Sequence, residues 1–321
     1  PPPAEVAVLL GEAGALSEET LEEIYATYNA ANNVALKIEG DDSHAVRRAA
    51  AASPKSPPPP HHPHPPPAQP ILQVLVSAEG TVAGGLLVDS ATGKLLRPAH
   101  RRGVATVVDD SEAGDAAAAR DGVLAPAAEP LRGKLGAALA AHVAACYNPM
   151  RAGTTAWARG SEVYSGEGGA LTAITAVTLR NLSNFWSGSW RGRYAVAVEA
   201  GGGAATVSGV IRVVTHYFES GNTQMHTERA VAATRVTWAA GDAAAGAKAL
   251  TAVIAAAEDG LQASLDEMYE SLSTQALKEM RRFLPVSGQK MNWNVAEIRM
   301  RRTLTASSAG GGAGGAGGGA K

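Results

Sequence analysis

Apolar positions first repeat with a helical period. Leu21, Ile24, Tyr25 and Tyr28 fall at i, i+3, i+4 and i+7, which predicts an amphipathic helix with one buried face. Ser17 stands before it as an N-cap, and Glu18 and Glu19 occupy the first turn, where negative charge suits the helix dipole. A shorter helix around Val6, Leu9 and Leu10 precedes it, and "VALKIEG" (34–40) follows as a strand or loop exit. Further on, "ILQVLVSAEG" and "GLLVDSATGKLLRP" predict strands separated by glycine-containing turns. The stretch from Asp109 to Pro130 is acidic and alanine-rich and reads as loop. Leu131, Leu135, Leu139, Val143 and Cys146 then step by three or four, which predicts another helix with Cys146 as a buried thiol on its apolar stripe.

The period then changes to two. "LTAITAVTL" alternates apolar residues with threonine, and from Trp190 to Glu199 the alternation is clean. Trp190, Tyr194, Val196 and Val198 point one way, and Arg191, Arg193 and Glu199 the other. "TVSGVIRVVTHYF", a turn at "ESGN", "TQMHTE" and "VAATRVTW" continue the run. Successive strands with short turns make an antiparallel meander with one apolar face to be covered. The cover comes next. Asp242 caps a helix that runs to Leu284, where Pro285 stops it. Leu250, Val253, Ile254, Ala257, Leu261, Leu265, Met268 and Leu272 form its stripe. About 42 residues at 1.5 Å each give roughly 63 Å, a length suited to lying across a wide sheet.

Composition sets limits on this picture. "SPKSPPPPHHPHPPPAQP" has too few backbone donors for helix or ladder and reads as a disordered insert over 41–70. Stiff polyproline geometry does not bring His61, His62 and His64 onto one metal ion. "SSAGGGAGGAGGGAK" is a flexible tail. The formal charge is −2, so no global basic field draws the chain to nucleic acid. A single cysteine excludes an internal disulfide and fits a reducing, cytoplasmic setting, where the sequon at Asn181 stays idle. No apolar run is long enough for a transmembrane segment, and no signal peptide is present.

Catalytic patterns are absent. There is no dinucleotide or phosphate-binding glycine motif, no zinc-protease helix and no nucleophile elbow, so neither an enzyme nor a cofactor is expected. His216 and His226 flank a hairpin as sheet-face residues. Two local features remain. The chain holds 15 aromatic residues, and Phe185, Trp186, Trp190 and Tyr194 crowd into "NFWSGSWRGRY" (184–194). This is either the lining of a ligand pocket or core; the parity of Trp190 and Tyr194 with Val196 and Val198 favours core, and the resemblance given below implies that Phe185 and Trp186 anchor the turn that leads in. Between Lys278 and Arg302 lie Lys278, Arg281, Arg282, Lys290, Arg299, Arg301 and Arg302 against Glu279 and Glu297, a net charge of +5. By pattern alone this is either a solvated helix end or a docking site for an acidic surface.

These blocks resemble the alpha subunit of the F-actin capping protein. "NFWSGSWRGRY" is similar to the family's N-F-W-N-G-R-W-R-S-x-W block, "VSGVIRVVTHYFESGNTQ" to its V-H-Y-Y-E-D-G-N block, and "LKEMRRFLPVSGQKMNWN" to its R-R-x-L-P-V-x-x-x-K-x-x-W-N block. "YNAANNVALKIEG" parallels Y-N-x-x-x-x-x-P-V-K-I-E-G. The family has another helix ahead of the segment that here begins "PPPAEV", and one basic position of its C-terminal block falls on Gly288.

The resemblance implies an α+β fold: a partial helical stalk (1–40), the insert (41–70), a small hairpin-rich globule with a connecting helix (71–150), and an antiparallel meander sheet (151–241). One long C-terminal helix (242–284) covers the sheet, followed by a short amphipathic tail (285–303) and the glycine-rich end (304–321). The chain would be half of a heterodimer with a beta subunit, the two sharing one continuous sheet. The dimer would bind the barbed end of an actin filament and block subunit exchange there, in the cytoplasm and its cytoskeleton. The matching positions Lys278, Arg281, Arg282 and Lys290 would meet acidic actin surface, Trp293 and Ile298 would add apolar contact, and anionic phosphoinositides would bind the same cations. The alternative is a structural subunit of a larger cytoskeletal assembly, such as the cap of an actin-related filament or a ciliary scaffold. Nucleic-acid binding is disfavoured, because no stacking platform is interleaved with the charge.

Overall fold

The structure is a computed structural model that describes residues 17–39, 73–124, 129–147, 156–166, 169–181, 185–217 and 223–271. The insert, the helix around Val6, the "ESGN" turn, and everything expected beyond Ser271 lie outside these residues. Contacts divide the chain after Asp259, and the packing described below belongs to the unit that ends there.

Helix α1 (Glu18–Asn32) starts at Ser17, whose side chain accepts from the Thr20 amide, and ends at Asn33 in the left-handed region, φ 46°. The amphipathic face that the sequence predicts is only partly buried. Leu21 is buried and Ile24 is 37 % exposed, while the polar Asn29 is buried because its amide donates to the His100 carbonyl at 3.3 Å. Glu22 accepts from the His100 and Arg101 amides, which binds the helix to the turn at residues 100–103.

A small sheet follows, of β1 (Ala35–Glu39), β2 (Gln73–Leu75), β3 (Leu87–Val88), β4 (Leu95–Ala99) and β5 (Val104–Val108), in the order β2-β1-β5-β4-β3. Only β1 and β5 pair in parallel. Residues 109–130, expected as loop, contain α2 (Asp115–Leu124). Alanine is the best helix former, so a run of it makes a helix even without an apolar stripe. Helix α3 (Glu129–Cys146) buries Leu135, Leu139 and Val143 as the periodicity requires. Cys146 is a correction, since the residue is exposed and its thiol only partly covered. The helix ends there, and the next inward position after Val143 is Tyr147, one turn on.

The larger sheet is an antiparallel meander, β10-β9-β8-β7-β6. Its strands are β6 (Ala156–Ser165), β7 (Leu171–Asn181), β8 (Trp186–Val198), β9 (Ala204–Tyr217) and β10 (Thr223–Thr237). "TQMHTE" and "VAATRVTW" belong to one strand, β10, with a bulge between Val231 and Thr234. The extra residue reverses the inward parity there, which is why the sequence pattern reads as two pieces.

Both faces of β6 and β7 are covered. On one side, Tyr164, Ile174 and Ala176 share a core with Leu75, Val88, Leu95 and Ala116 of the small sheet and α2. A buried polar joint fastens that contact. Glu162 accepts from the Ser90 amide and hydroxyl, and Arg132 of α3 donates to the Ser90 and Val163 carbonyls at 2.7 and 3.2 Å. On the other side α3 lies against β6, and helix α4 (Ala243–Ser271), in its part up to Asp259, reaches β7 and β8; α4 is capped by Asp242, whose Oδ1 accepts from the Ala245 amide at 2.9 Å. Gly246, Ala247, Leu250, Ile254 and Glu258 are its buried positions through Asp259.

Candidate functional site

Glu258 interrupts an apolar stripe. It stands four residues after Ile254 and is only 3 % exposed, so its charge must find partners inside the protein. It finds four. Oε2 lies 2.8 Å from His142 Nε2 and accepts from the Tyr147 hydroxyl at 3.0 Å. Oε1 accepts from the Thr175 hydroxyl at 3.1 Å and the Tyr194 hydroxyl at 2.9 Å. One carboxylate thus ties α4 to α3, to the residue after α3, and to β7 and β8.

The electrostatics follow from this geometry. Burial acts to raise the Glu258 carboxyl, but hydrogen bonds from His142, Tyr194 and Tyr147 and the imidazole charge outweigh it and hold the group below its ordinary value. The hydrogen bond to Glu258 raises His142 against the opposing effect of burial. Burial, followed by the Glu258 charge, pushes both tyrosine hydroxyls up, so they remain donors.

Cys146 Sγ lies 3.4 Å from His142 Nδ1, so thiol, imidazole and carboxylate stand in the order of a nucleophile, its base and an orienting acid. The electrostatics run against that reading. Burial and the Asp259 and Glu258 charges push the thiol up, whereas a reactive cysteine needs the opposite shift. The Glu258 oxygens are already taken by four protein donors. The cluster is a structural joint, and among the described residues no group of three or more metal-ligating side chains occurs.

The aromatic block sits over this joint. Tyr194 is fully buried and Trp190 is 9 % exposed, and the Trp190 ring packs at a 48° tilt on Tyr147 with centroids 6.2 Å apart. Two glycines make room for Tyr194. A Cβ on Gly192 would lie 2.6 Å from Thr175 Oγ1, and one on Gly209 would lie 2.9 Å from the Tyr194 ring. Trp186 is half-buried at the start of β8, and Phe185 is 42 % exposed with φ 55°. The inner pair is therefore core, and the outer pair forms the rim of the turn.

Lys278, Arg281, Arg282, Lys290, Trp293 and Ile298 all lie outside the described residues. The candidate surface that is described is the outer strand. Among the described residues β10 pairs with β9 alone, and most of its 15 residues are exposed. An edge this long offers a row of backbone donors and acceptors to another strand. No described helix is long and apolar enough to cross a membrane.

The sequence reasoning missed Glu258, His142 and Tyr147. The available signal was a carboxylate in register with Leu250, Ile254 and Leu261 on the apolar side of a helix.

Comparison with known proteins gives consistent results. The family model described as "F-actin capping protein alpha subunit" matches residues 69–303. The F-actin-capping protein subunit alpha of Dictyostelium discoideum is 32 % identical over 127 residues, 40 % of this chain and 44 % of that protein. The subunit of the same name from Chaetomium thermophilum is 37 % identical over 111 residues, 35 % of this chain and 36 % of its own length. That of Schizosaccharomyces pombe is 34 % identical over 137 residues, 42 % and 48 % of the two chains. In these matches the chain spans about half, or less, of the length of the curated relatives. A solved structure of a homodimeric actin capping protein alpha subunit from Plasmodium berghei superposes with a TM-score of 0.60 at 18 % identity, covering 90 % of this chain and 94 % of that one. That likeness is one of fold.

Proposed function

The chain belongs to the F-actin capping protein alpha subunit family, and from that premise we propose that it is the alpha half of a dimeric capping protein that blocks the barbed end of actin filaments. The observation that carries the reading is the extent of the family match, which runs through residue 303 and so takes in the whole basic block. In this reading the β10 edge receives a strand of a beta subunit, and the two sheets become one. Lys278, Arg281, Arg282 and Lys290 steer the dimer to acidic actin surface. The segment from Met291 puts Val295 and Ile298 on one face with Trp293 beside it, and it gains its binding energy on contact. Anionic phosphoinositides compete for the same cations. No step is catalytic, and the dimer works in the cytoplasm on the cytoskeleton.

The test is elongation of pyrene-labelled actin from filament seeds, with this chain co-expressed with a capping protein beta subunit. Barbed-end growth should stop at nanomolar dimer. Uninhibited growth favours the scaffold alternative. Replacing Lys278, Arg281 and Arg282 together by Glu should weaken capping by at least about 2–5 kcal/mol while leaving the dimer intact. Unchanged capping would move the actin contact away from this block.

A second reading is favoured by one observation: the solved structure that this fold matches is described as homodimeric. Two copies would then pair through the same edge. The mass of the chain expressed alone separates the two readings.

A further inference from the structure

The larger sheet has two edge strands, β6 and β10, and they are not alike. In an antiparallel pair every second residue bonds to the neighbouring strand, and the residues between turn their amides and carbonyls the other way. Just beyond β6 the Gly166 amide donates to the Ala170 carbonyl at 2.7 Å, in step with a register that sets Ser165 opposite Leu171. The even-numbered residues of β6 therefore bond to β7, and the odd-numbered ones face the edge.

Those edge-facing groups meet side chains. The Arg159 amide donates to Gln73 Oε1 of β2 at 3.2 Å. The Val163 amide donates to Ser90 Oγ at 3.1 Å, and the Val163 carbonyl accepts from Arg132 Nη1 of α3 at 3.2 Å. Two of these three caps are themselves fixed. Ser90 and Arg132 are 6 % and 4 % exposed, the Ser90 hydroxyl donates to Glu162, and Arg132 also holds the Ser90 carbonyl. A strand arriving at β6 has to break bonds worth about 1 kcal/mol each, and more for the charged donor, before it forms its own.

We propose that Gln73, Ser90 and Arg132 are a stop on sheet growth: the sheet accepts a partner's strand at β10 and refuses one at β6, so it takes one neighbour and not two. The inference rests on the reading that β10 receives a partner strand, and it adds what happens at the opposite side. A sheet with two open edges joins head to tail, β10 of one copy to β6 of the next, and a contact of that kind propagates into a filament. A sheet with one open edge gives a pair that closes.

The experiment is analytical ultracentrifugation of the full chain in the assembly in which it purifies, over a wide concentration range and without actin. The wild-type mass should reach two chains and stay there. Gln73→Leu uncovers the Arg159 amide. Hydrogen exchange at that amide should speed up roughly tenfold, the weight of one hydrogen bond, and the assembly should grow past two chains as concentration rises. Adding Ser90→Ala should extend that growth. Ser90 also serves the buried Glu162, so the single variant carries the test if the double one folds poorly. Growth of the wild-type chain past two copies overturns the proposal. So does a Gln73→Leu variant that exchanges faster at Arg159 yet stays at two chains, or one whose Arg159 exchange is unaltered. A wild-type monomer at every concentration overturns the reading of β10 and this proposal with it. A pair that fails to block actin growth leaves the masses unchanged and counts against the capping function alone.

Discussion

Glu258 joins four parts of the fold to α4, because its two oxygens are shared among donors from three other elements and the residue after α3. Removing it as Glu258→Leu strands two phenols, a hydroxyl and an imidazole in the interior. The expected cost is about 3–5 kcal/mol, the range for breaking a buried pair from one side, measured by chemical denaturation of the intact assembly. The pH dependence has two signs. His142 is raised in the folded state, so its contribution is full below the ordinary imidazole value of 6.5 and is lost as pH rises through the folded value. Glu258 is lowered, so its contribution is full above the ordinary carboxyl value of 4.5 and is lost as pH falls through the folded value. The joint is therefore strongest between those two ordinary values. Melting temperature against pH should fall on the alkaline side for wild type, and His142→Gln should flatten that limb. An unchanged limb would assign the loss to other groups.

Elements were legible where one periodicity held over their whole length. The stripe through Leu250 and Ile254 names α4, and the alternation from Trp190 names β8, because each faces one apolar layer. The alternation fails on β7, where Ala173, Ile174, Thr175 and Ala176 are all buried between α-helical cover and the small sheet. It fails again on β10, where the bulge shifts the parity. The buried joint was not legible, because its members lie on four elements and meet only through long-range packing. The two glycines under Tyr194 give a prediction at this scale. Gly192→Ala and Gly209→Ala each put a methyl group into space that the Tyr194 side chain or its partners occupy, and each should cost about 1–3 kcal/mol by overpacking. Denaturation midpoints read this directly. A neutral Gly209→Ala would mean that the β8–β9 ladder yields more than a packed sheet should.

At the scale of the whole molecule, the long β10 edge stands out, because among the described residues it pairs on one side alone. Expressed by itself the chain should self-associate or precipitate, and co-expression with a beta subunit should give a single soluble species in size-exclusion chromatography. A monodisperse monomer with one cooperative melt would refute both dimer readings at once. A different consequence follows from the pairing of β1 with β2. Ala35 stands opposite Leu75 and Lys37 opposite Gln73, so the chain leaves the small sheet after Glu39 and re-enters it on the adjacent strand. The two ends of residues 40–72 are thus held side by side by the ladder, whatever lies between them. Closing a loop costs an entropy that rises only with the logarithm of its length, about 0.6 kcal/mol for each doubling. The junction is accordingly an insertion port: halving the segment, or lengthening it with a fluorescent or affinity module, should move the melting temperature by only a degree or two and leave the sheet behind it unaltered.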